Sequence, residues 1–450
     1  MSHLVCHGCG AVVSLDDPTP FGCPNRSDQP DVDHILVRHL DPDEVDIWPP
    51  FDDNDHDANP FSLYRDRWHT TALARAHGLS NDDLTKIIDS LDAQIAAVWG
   101  KGFRVTPLVK APHDLVAAAS GTTGTLWLKD ETENVSGSHK ARHLAGIMLH
   151  LEVARATLGY RDKPPLAIAS CGNAALAAAV VARAVDWPLD VYIPTDAPKG
   201  VVEKLHDLQA TLHVMPRDGK PGDPCYRGFQ EALKVGSLPF CCQGPDNGLC
   251  IEGGQTLGYE LIDQLEARGS DLDALFVQVG GGALASACVH SLLEAQASDR
   301  LHHLPRLYTV QTGGAHPLAR AHARLLDRFP AAADPANNDA ISEALRFAAT
   351  HRGDFMWPWE HVPKSIAHGI LDDETYDWLV IVEGMLRSGG APLVVDEDTL
   401  REAHAHLRAT SAIEADPTGT SGLAGWIVAR KEGLVGPAET SAVLITGHER

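Results

Sequence analysis

From about residue 103 onward, short apolar runs alternate with segments whose apolar positions recur every three or four residues. The runs Thr125-Leu126-Trp127-Leu128-Lys129, Leu166 to Ala169, Val191 to Ile193, Thr211 to Val214, Ala274 to Val279 and Leu444-Ile445 predict strands. Between them, Leu144, Ile147, Met148 and Leu151 fall at i, i+3, i+4 and i+7 and predict a helix that opens near Lys140. Ala174 to Ala184, Val201 to Leu208 and Glu252 to Glu266 also read as helices. Repeated βαβ units imply parallel sheets covered by helices on both faces. Ligands of such folds bind beyond the carboxyl ends of the strands. Upstream, residues 63–99 read as helices, and 41–62, rich in Asp, Asn and Pro, as an irregular arm. The segment 331–372 breaks the alternation and reads as a long excursion, a candidate lining for the site.

Composition narrows the picture. The 450 residues suffice for two or three domains, and 44% apolar content is that of a globular chain. No run of eighteen apolar residues predicts a membrane span, and the N-terminus shows no secretory pattern. A net charge of −24 argues against nucleic acid and anionic membranes as partners. It leaves room for an anionic ligand held by backbone amides. Nine cysteines, several in apolar surroundings, fit thiols in a reducing cytoplasm better than a disulfide framework.

Four loops carry candidate chemistry. Asn134-Val135-Ser136-Gly137-Ser138-His139-Lys140 joins a strand to a helix, so Lys140 sits near the positive end of a helix dipole. That place favours a neutral amine, the form a nucleophilic lysine needs. Taken alone, Lys140 is more simply a solvated first-turn lysine. Ser170-Cys171-Gly172-Asn173 offers amides at a helix start, suited to a carboxylate, or is an ordinary cap. Gly280-Gly281-Gly282-Ala283 follows a strand and could fold around a phosphate, serve as a dinucleotide fingerprint, or make a tight turn. Thr446-Gly447-His448 ends the last strand with a hydroxyl able to meet a heterocyclic nitrogen.

Residues 1 to about 40 read as a separate small unit. Cys6-His7-Gly8-Cys9 and Cys23 resemble part of a zinc ribbon. Arg26 stands where a fourth ligand is expected, and His34 or His3 could replace it. Both a zinc site and a metal-free knuckle are open readings.

Together the four loops resemble the fold type II pyridoxal-phosphate enzymes, a group that includes threonine synthase, serine/threonine dehydratase and tryptophan synthase β. The lysine motif of that group, N-P-T-G-S-F-K-x-R, is matched by N-V-S-G-S-H-K-A-R at 134–142, with His139 as in tryptophan synthase β. Ser170 to Asn173 matches its S-x-G-N loop, residues 280–283 its polyglycine loop, and 446–448 the T-G-H ending of threonine synthase. Ile251 to Thr256, leading to Glu260, is similar to a threonine synthase helix start.

The resemblance implies two doubly wound parallel-sheet domains with the cofactor in the cleft between them, plus the small N-terminal cysteine-containing extension. The large domain would comprise 103–143 and 260–450, and the small mobile one 144–259. Lys140 would bond the cofactor covalently and shuttle the α-proton. Asn173 would meet the cofactor's phenolic oxygen, Gly280 to Ala283 its phosphate, and Thr446 its pyridine nitrogen. Ser136, Ser170, Cys171, Gly172 and Asn173 would receive a small amino-acid substrate. A homodimer is implied. Arg142 is the one basic candidate for a substrate phosphate, and dehydratases carry it too, which favours β-elimination over threonine synthesis. A β/γ-replacement enzyme and, remotely, a dinucleotide-dependent oxidoreductase are the alternatives.

Overall fold

The computed structural model describes residues 2–26, 31–40, 48–120, 124–220 and 222–449. The part of the expected arm at 41–47 lies outside them.

Strands β1 (His3–Cys6), β2 (Val12–Val13) and β3 (Leu36–His39) make a small antiparallel sheet in the order β2-β1-β3. Helices His69–Ala76 and Asn81–Trp99 follow, as the sequence predicts. A six-stranded sheet then uses β4 (Leu108–Lys110), β5 (Thr125–Asp130), β10 (Ala274–Gln278), β11 (Arg306–Thr312), β12 (Ala391–Val395) and β13 (Thr440–Ile445). Its order is β12-β11-β10-β13-β5-β4, parallel except for β4. A four-stranded parallel sheet, β8-β7-β6-β9, uses β6 (Leu166–Ala169), β7 (Leu189–Pro194), β8 (Thr211–Met215) and β9 (Leu238–Pro239). The two sheets are therefore built from different stretches of the chain. Every residue of β10 is buried, as expected for a central strand of a parallel sheet covered on both faces.

Five helices position the site: α1 (Lys140–Thr157), α2 (Asn173–Ala184), α3 (Cys250–Ala267), α4 (Ala283–Ala297) and α5 (Trp378–Ser388). The sequence pattern predicts α1 as amphipathic, and its apolar stripe Leu144, Ile147, Met148 and Leu151 is fully buried. Its polar face is buried too: Arg142, His143 and His150 are 0% exposed. Side-chain periodicity marks one face of a helix and cannot say whether the other face meets water or a charged partner.

Here the other face meets α3. A methyl on Gly146 would lie 2.9 Å from the Gly253 Cα, and one on Gly253 would collide with the Arg142 carbonyl. One on Gly254 would collide with the His143 ring. The Gly253-Gly254 pair thus lets α3 cross against the first turns of α1, which fixes the start of α1 and with it Lys140.

The excursion at 331–372 is partly ordered: it contains a helix at Asn338–Ala349 and returns toward the glycine loop.

Candidate active site

Lys140 is the first residue of α1 and is half-buried. The loop before it turns on Ser136 at φ 58° and Gly137 at φ 71°. A non-glycine residue in the left-handed region carries backbone strain and needs its surroundings to hold it there. The C-terminal strand end supplies that hold. The His448 amide donates to the Gly137 carbonyl at 2.9 Å, and Ser138 bridges Gly447. His139 Nδ1 lies 3.4 Å from the Thr446 carbonyl and donates to it. Burial, with Lys140 and His143 nearby, keeps the His139 imidazole well below its ordinary range and therefore neutral.

Thr446 is 2% exposed, and the Gln278 side-chain amide donates to its hydroxyl oxygen. A hydroxyl that accepts on oxygen keeps its own proton free to donate elsewhere. A methyl on Gly447 would sit 3.0 Å from Asn173 Nδ2, so the bare backbone there makes room for that side chain. Asn173 opens α2 behind Gly172, whose amide donates to Ser170 Oγ at 3.3 Å. Ser170, Cys171, Gly172 and Asn173 are all half-buried, while α2 is buried from Ala175 to Ala182. Burial pushes the Cys171 thiol up, with Asp196 and Asp223 adding to the effect, so it is a neutral side chain and not a thiolate.

Gly280, Gly281, Gly282 and Ala283 lie between β10 and α4. Gly282 caps α4 at φ 104° with no side-chain hydrogen bond to the first-turn amides. The segment 370–377 packs directly on this loop. A methyl on Gly280 would collide with the Asp372 carboxylate, and one on Gly281 would lie 2.9 Å from the Tyr376 ring. Thr375 Oγ1 donates to the Gly280 carbonyl at 3.1 Å, and the Asp377 amide to the Gly281 carbonyl at 3.1 Å. The sequence reading named the excursion but no residue at 370–377. The signal was the acidic run Asp372-Asp373-Glu374, which resembles a solvated surface turn until the glycine loop is seen against it.

Two carboxyls of this segment are enclosed. Burial pushes Asp372 up to about 6, against the downward pull of Lys140 and of the Gly281 amide. Asp372 is walled in by atoms yet still touched by solvent, as a residue deep in a cleft would be. Burial pushes Asp377 up to about 8. Its Oδ2 accepts from the Gly244 amide at 3.4 Å, and its Oδ1 has no partner.

Arg142 does not face this cleft. It is 0% exposed and bonds Glu131 at 2.9 Å and Glu260 at 2.6 Å, with Thr106 and Thr256 completing its donors. Lys129 joins the same network through Glu260 at 2.6 Å. Arg142 is thus a structural cation, and the sequence reading that offered it to a substrate phosphate is corrected.

The residues expected to hold pyridoxal phosphate suit that group. A lysine amine stands at a cleft, a helix start has uncapped amides for a phosphate, and a buried hydroxyl has its proton free. Ser138 Oγ, beside the lysine, is buried without a partner.

In the N-terminal unit, the ligand atoms of Cys6, Cys9, Cys23 and His34 all lie within 4.8 Å of one another. Cys6 Sγ is 3.4 Å from His34 Nδ1, and Cys9 Sγ is 3.5 Å from Cys23 Sγ. Of the two histidines considered for the fourth position, His34 occupies it. A Cys₃His set is a donor combination for structural zinc. All nine cysteines are free thiols. No helix among the described residues is long and apolar enough to cross a membrane.

Comparison with known proteins gives the context. A family model described as "Pyridoxal-phosphate dependent enzyme" matches residues 101–447. A threonine synthase of Methanosarcina acetivorans is 24% identical over 350 residues, 76% of this chain and 74% of that protein. A serine dehydratase-like protein of Rattus norvegicus is 31% identical over 218 residues, 47% of this chain and 58% of that protein. The solved structure of maize serine racemase has a TM-score of 0.57 at 18% identity, covering 81% of this chain and 93% of that one. These relatives span a synthase, a dehydratase and a racemase, so likeness fixes scaffold and cofactor class and leaves the reaction open. The dinucleotide reading of 280–283 gives way to that family match, and the chain belongs to the pyridoxal-phosphate-dependent enzymes.

Proposed function

We propose that the chain is a lyase that removes a β-substituent from a small amino acid. The observation that carries the reading is the enclosure of Arg142. With its donors committed to Glu131 and Glu260, Arg142 is not available to hold the substrate phosphate that threonine synthesis from O-phosphohomoserine would bring to the site. Bound pyridoxal phosphate supplies an electron sink for a carbanion at the substrate α-carbon. Gly282 and Ala283, at the uncapped start of α4, would offer amides to the cofactor phosphate, and Thr446 would face the pyridine nitrogen. A hydroxyl there does not protonate the ring, which suits elimination or replacement better than transamination. Asn173 would face the phenolic oxygen. Ser136, Ser170, Cys171 and Gly172 would receive the substrate carboxylate, and the Lys140 amine would move the α-proton.

The four-stranded-sheet region, 144–259, would close over the substrate and exclude water. A homodimer in the cytoplasm is the expected setting. Purified protein incubated with serine, threonine and O-phosphohomoserine tests the reaction. Release of ammonia and a keto acid supports elimination; threonine and free phosphate from O-phosphohomoserine would replace it with the synthase reading.

The Cys6, Cys9, Cys23 and His34 cluster would hold one structural zinc ion. Elemental analysis should find one zinc per chain, lost in Cys9→Ser. Metal-free protein of unchanged stability would establish a vestigial knuckle.

A further inference from the structure

The N-terminal knuckle is anchored to the rest of the protein on two sides, and each anchor leads to a different part of the cleft. On the Cys23 side, the Phe21 carbonyl accepts from the Gly248 amide at 2.8 Å. Arg26 Nη1 donates to the Pro245 carbonyl and to Asp246 Oδ1, both at 2.7 Å. Residues 245–248 run into α3, the helix whose crossing fixes the start of α1 and with it Lys140. His143 of α1 donates from Nδ1 to the carbonyl of Cys250, the first residue of α3, at 2.7 Å.

On the His34 side, Asp33 is 1% exposed. Its amide donates to the Ala349 carbonyl at 2.8 Å. Its Oδ1 accepts from Trp378 Nε1 at 3.2 Å and lies 3.2 Å from Arg352 Nε. The Asp31 carbonyl accepts from the Arg352 amide at 2.8 Å. Arg352 in turn pairs with Glu374 at 2.5 Å. Next to Glu374, the Thr375 hydroxyl holds the Gly280 carbonyl of the glycine loop. Asp33, Arg352 and Glu374 thus make a continuous line from the neighbour of a ligand residue to the support of that loop.

What joins the two sides within the knuckle is small. Its strands are four, two and four residues long. Its own apolar cluster is Cys6, Cys23 and Leu36, with Cys9, Ala11 and Val13 against it, and three of these are ligand residues. A unit of that size is fixed chiefly by its ion. Outside the knuckle, the two anchored segments meet through a long hydrogen bond, Gly244 amide to Asp377 Oδ2 at 3.4 Å. A metal bonded to both Cys23 and His34 therefore ties the segment that opens α3 to the segment that backs the glycine loop.

We propose that the knuckle metal is an allosteric ligand of the cofactor site, acting through Asp33, Arg352 and Glu374. Metal and pyridoxal phosphate then strengthen each other's binding by the same factor, because coupling between two sites is reciprocal. Arg352 and Glu374 are positioning residues that act on the glycine loop through Thr375. This coupling rests on the zinc and cofactor readings of the two sites and adds regulation of one by the other.

The test uses full-length protein carrying one zinc ion and the same protein stripped by a chelator, with folding checked by circular dichroism. Titration with pyridoxal phosphate, read as the visible band, should give a dissociation constant about tenfold or more higher in the stripped protein, restored by added zinc. Competition with a chromogenic chelator should show zinc held tighter by that same factor once cofactor is bound and its excess removed. The second measurement starts from folded, zinc-loaded protein and decides the matter even where the stripped form unfolds. Glu374→Gln keeps the four metal ligands and the Asp33–Arg352 pair, so it should retain one zinc per chain while the factor falls below about threefold. A purely structural ion would lower the urea midpoint on removal yet leave cofactor affinity, and the response of zinc to cofactor, unchanged. That result would overturn the coupling, as would an undiminished factor in Glu374→Gln. Failure of the underlying readings looks different: protein that binds no zinc contradicts the knuckle site, and protein with no visible band contradicts the cofactor site.

Discussion

Arg142 and Asp372 are both enclosed, and the protein treats the two charges in opposite ways. Arg142 is held by two carboxylates and two hydroxyls, and its neighbour Lys129 shares Glu260. Both carboxylates of that network are hydrogen-bonded and 0% exposed. Asp372 and Asp377 make no ion pair among the described residues, and burial pushes both carboxyls upward. A buried charge that is paired and hydrogen-bonded belongs to the scaffold, whereas one left without a counter-charge is costly until it takes up a proton. The difference separates residues that the fold holds as ions from residues whose protonated form it favours.

The comparison can be broken most severely at Glu260. Glu260→Gln leaves Arg142 and Lys129 under-compensated in a dry interior and should cost about 3–5 kcal/mol in denaturant unfolding. A loss below about 1 kcal/mol would mean that the network is solvated. Asp377 should behave in the reverse sense. Its folded pKa, pushed up by burial to about 8, lies above the ordinary carboxylate range, so the fold favours the protonated form. The stability linked to it is complete at low pH and declines as pH climbs from about 4 to about 8. Asp377→Asn should therefore stabilise the protein by roughly 2 kcal/mol at pH 8 and by little at pH 4, read from urea midpoints at the two pH values. Equal effects at both would show that Asp377 is not enclosed as a lone carboxyl. The smallest effect is expected at Arg26. Its partner Asp246 keeps donors from Tyr226 at 2.9 Å and Gln230 at 2.9 Å, so Arg26→Ala should cost about 1 kcal/mol. A loss of several kcal/mol would place that pair with the Arg142 network.

Much of this was legible in the amino-acid sequence. The alternating runs predict the parallel sheets because buried strands and covering helices leave different apolar periods. Lys140, Asn173, Thr446 and the glycine loop were each visible as strand-to-helix or strand-end loops, and the structure brings the Lys140 loop against Gly447 and Asn173. The burial of Arg142 was not legible. Its partners Glu131 and Glu260 are charged residues of ordinary appearance, and only the α1–α3 crossing shows them to be internal. Asp372 was hidden for the opposite reason: an acidic run has the composition of a surface turn, and its place against Gly280 depends on a contact 92 residues away in the chain. The fourth knuckle residue, His34, was one of two histidines that the sequence alone could not separate.

The central claim is that Lys140 is the residue to which the cofactor is bonded. Reduction of the cofactor-loaded protein with borohydride, followed by peptide mass spectrometry, tests it directly. The account predicts loss of the visible band and a single pyridoxyl label on the peptide containing Lys140, with neither band nor label in Lys140→Ala. A label on another lysine, or a band that survives in Lys140→Ala, would contradict it.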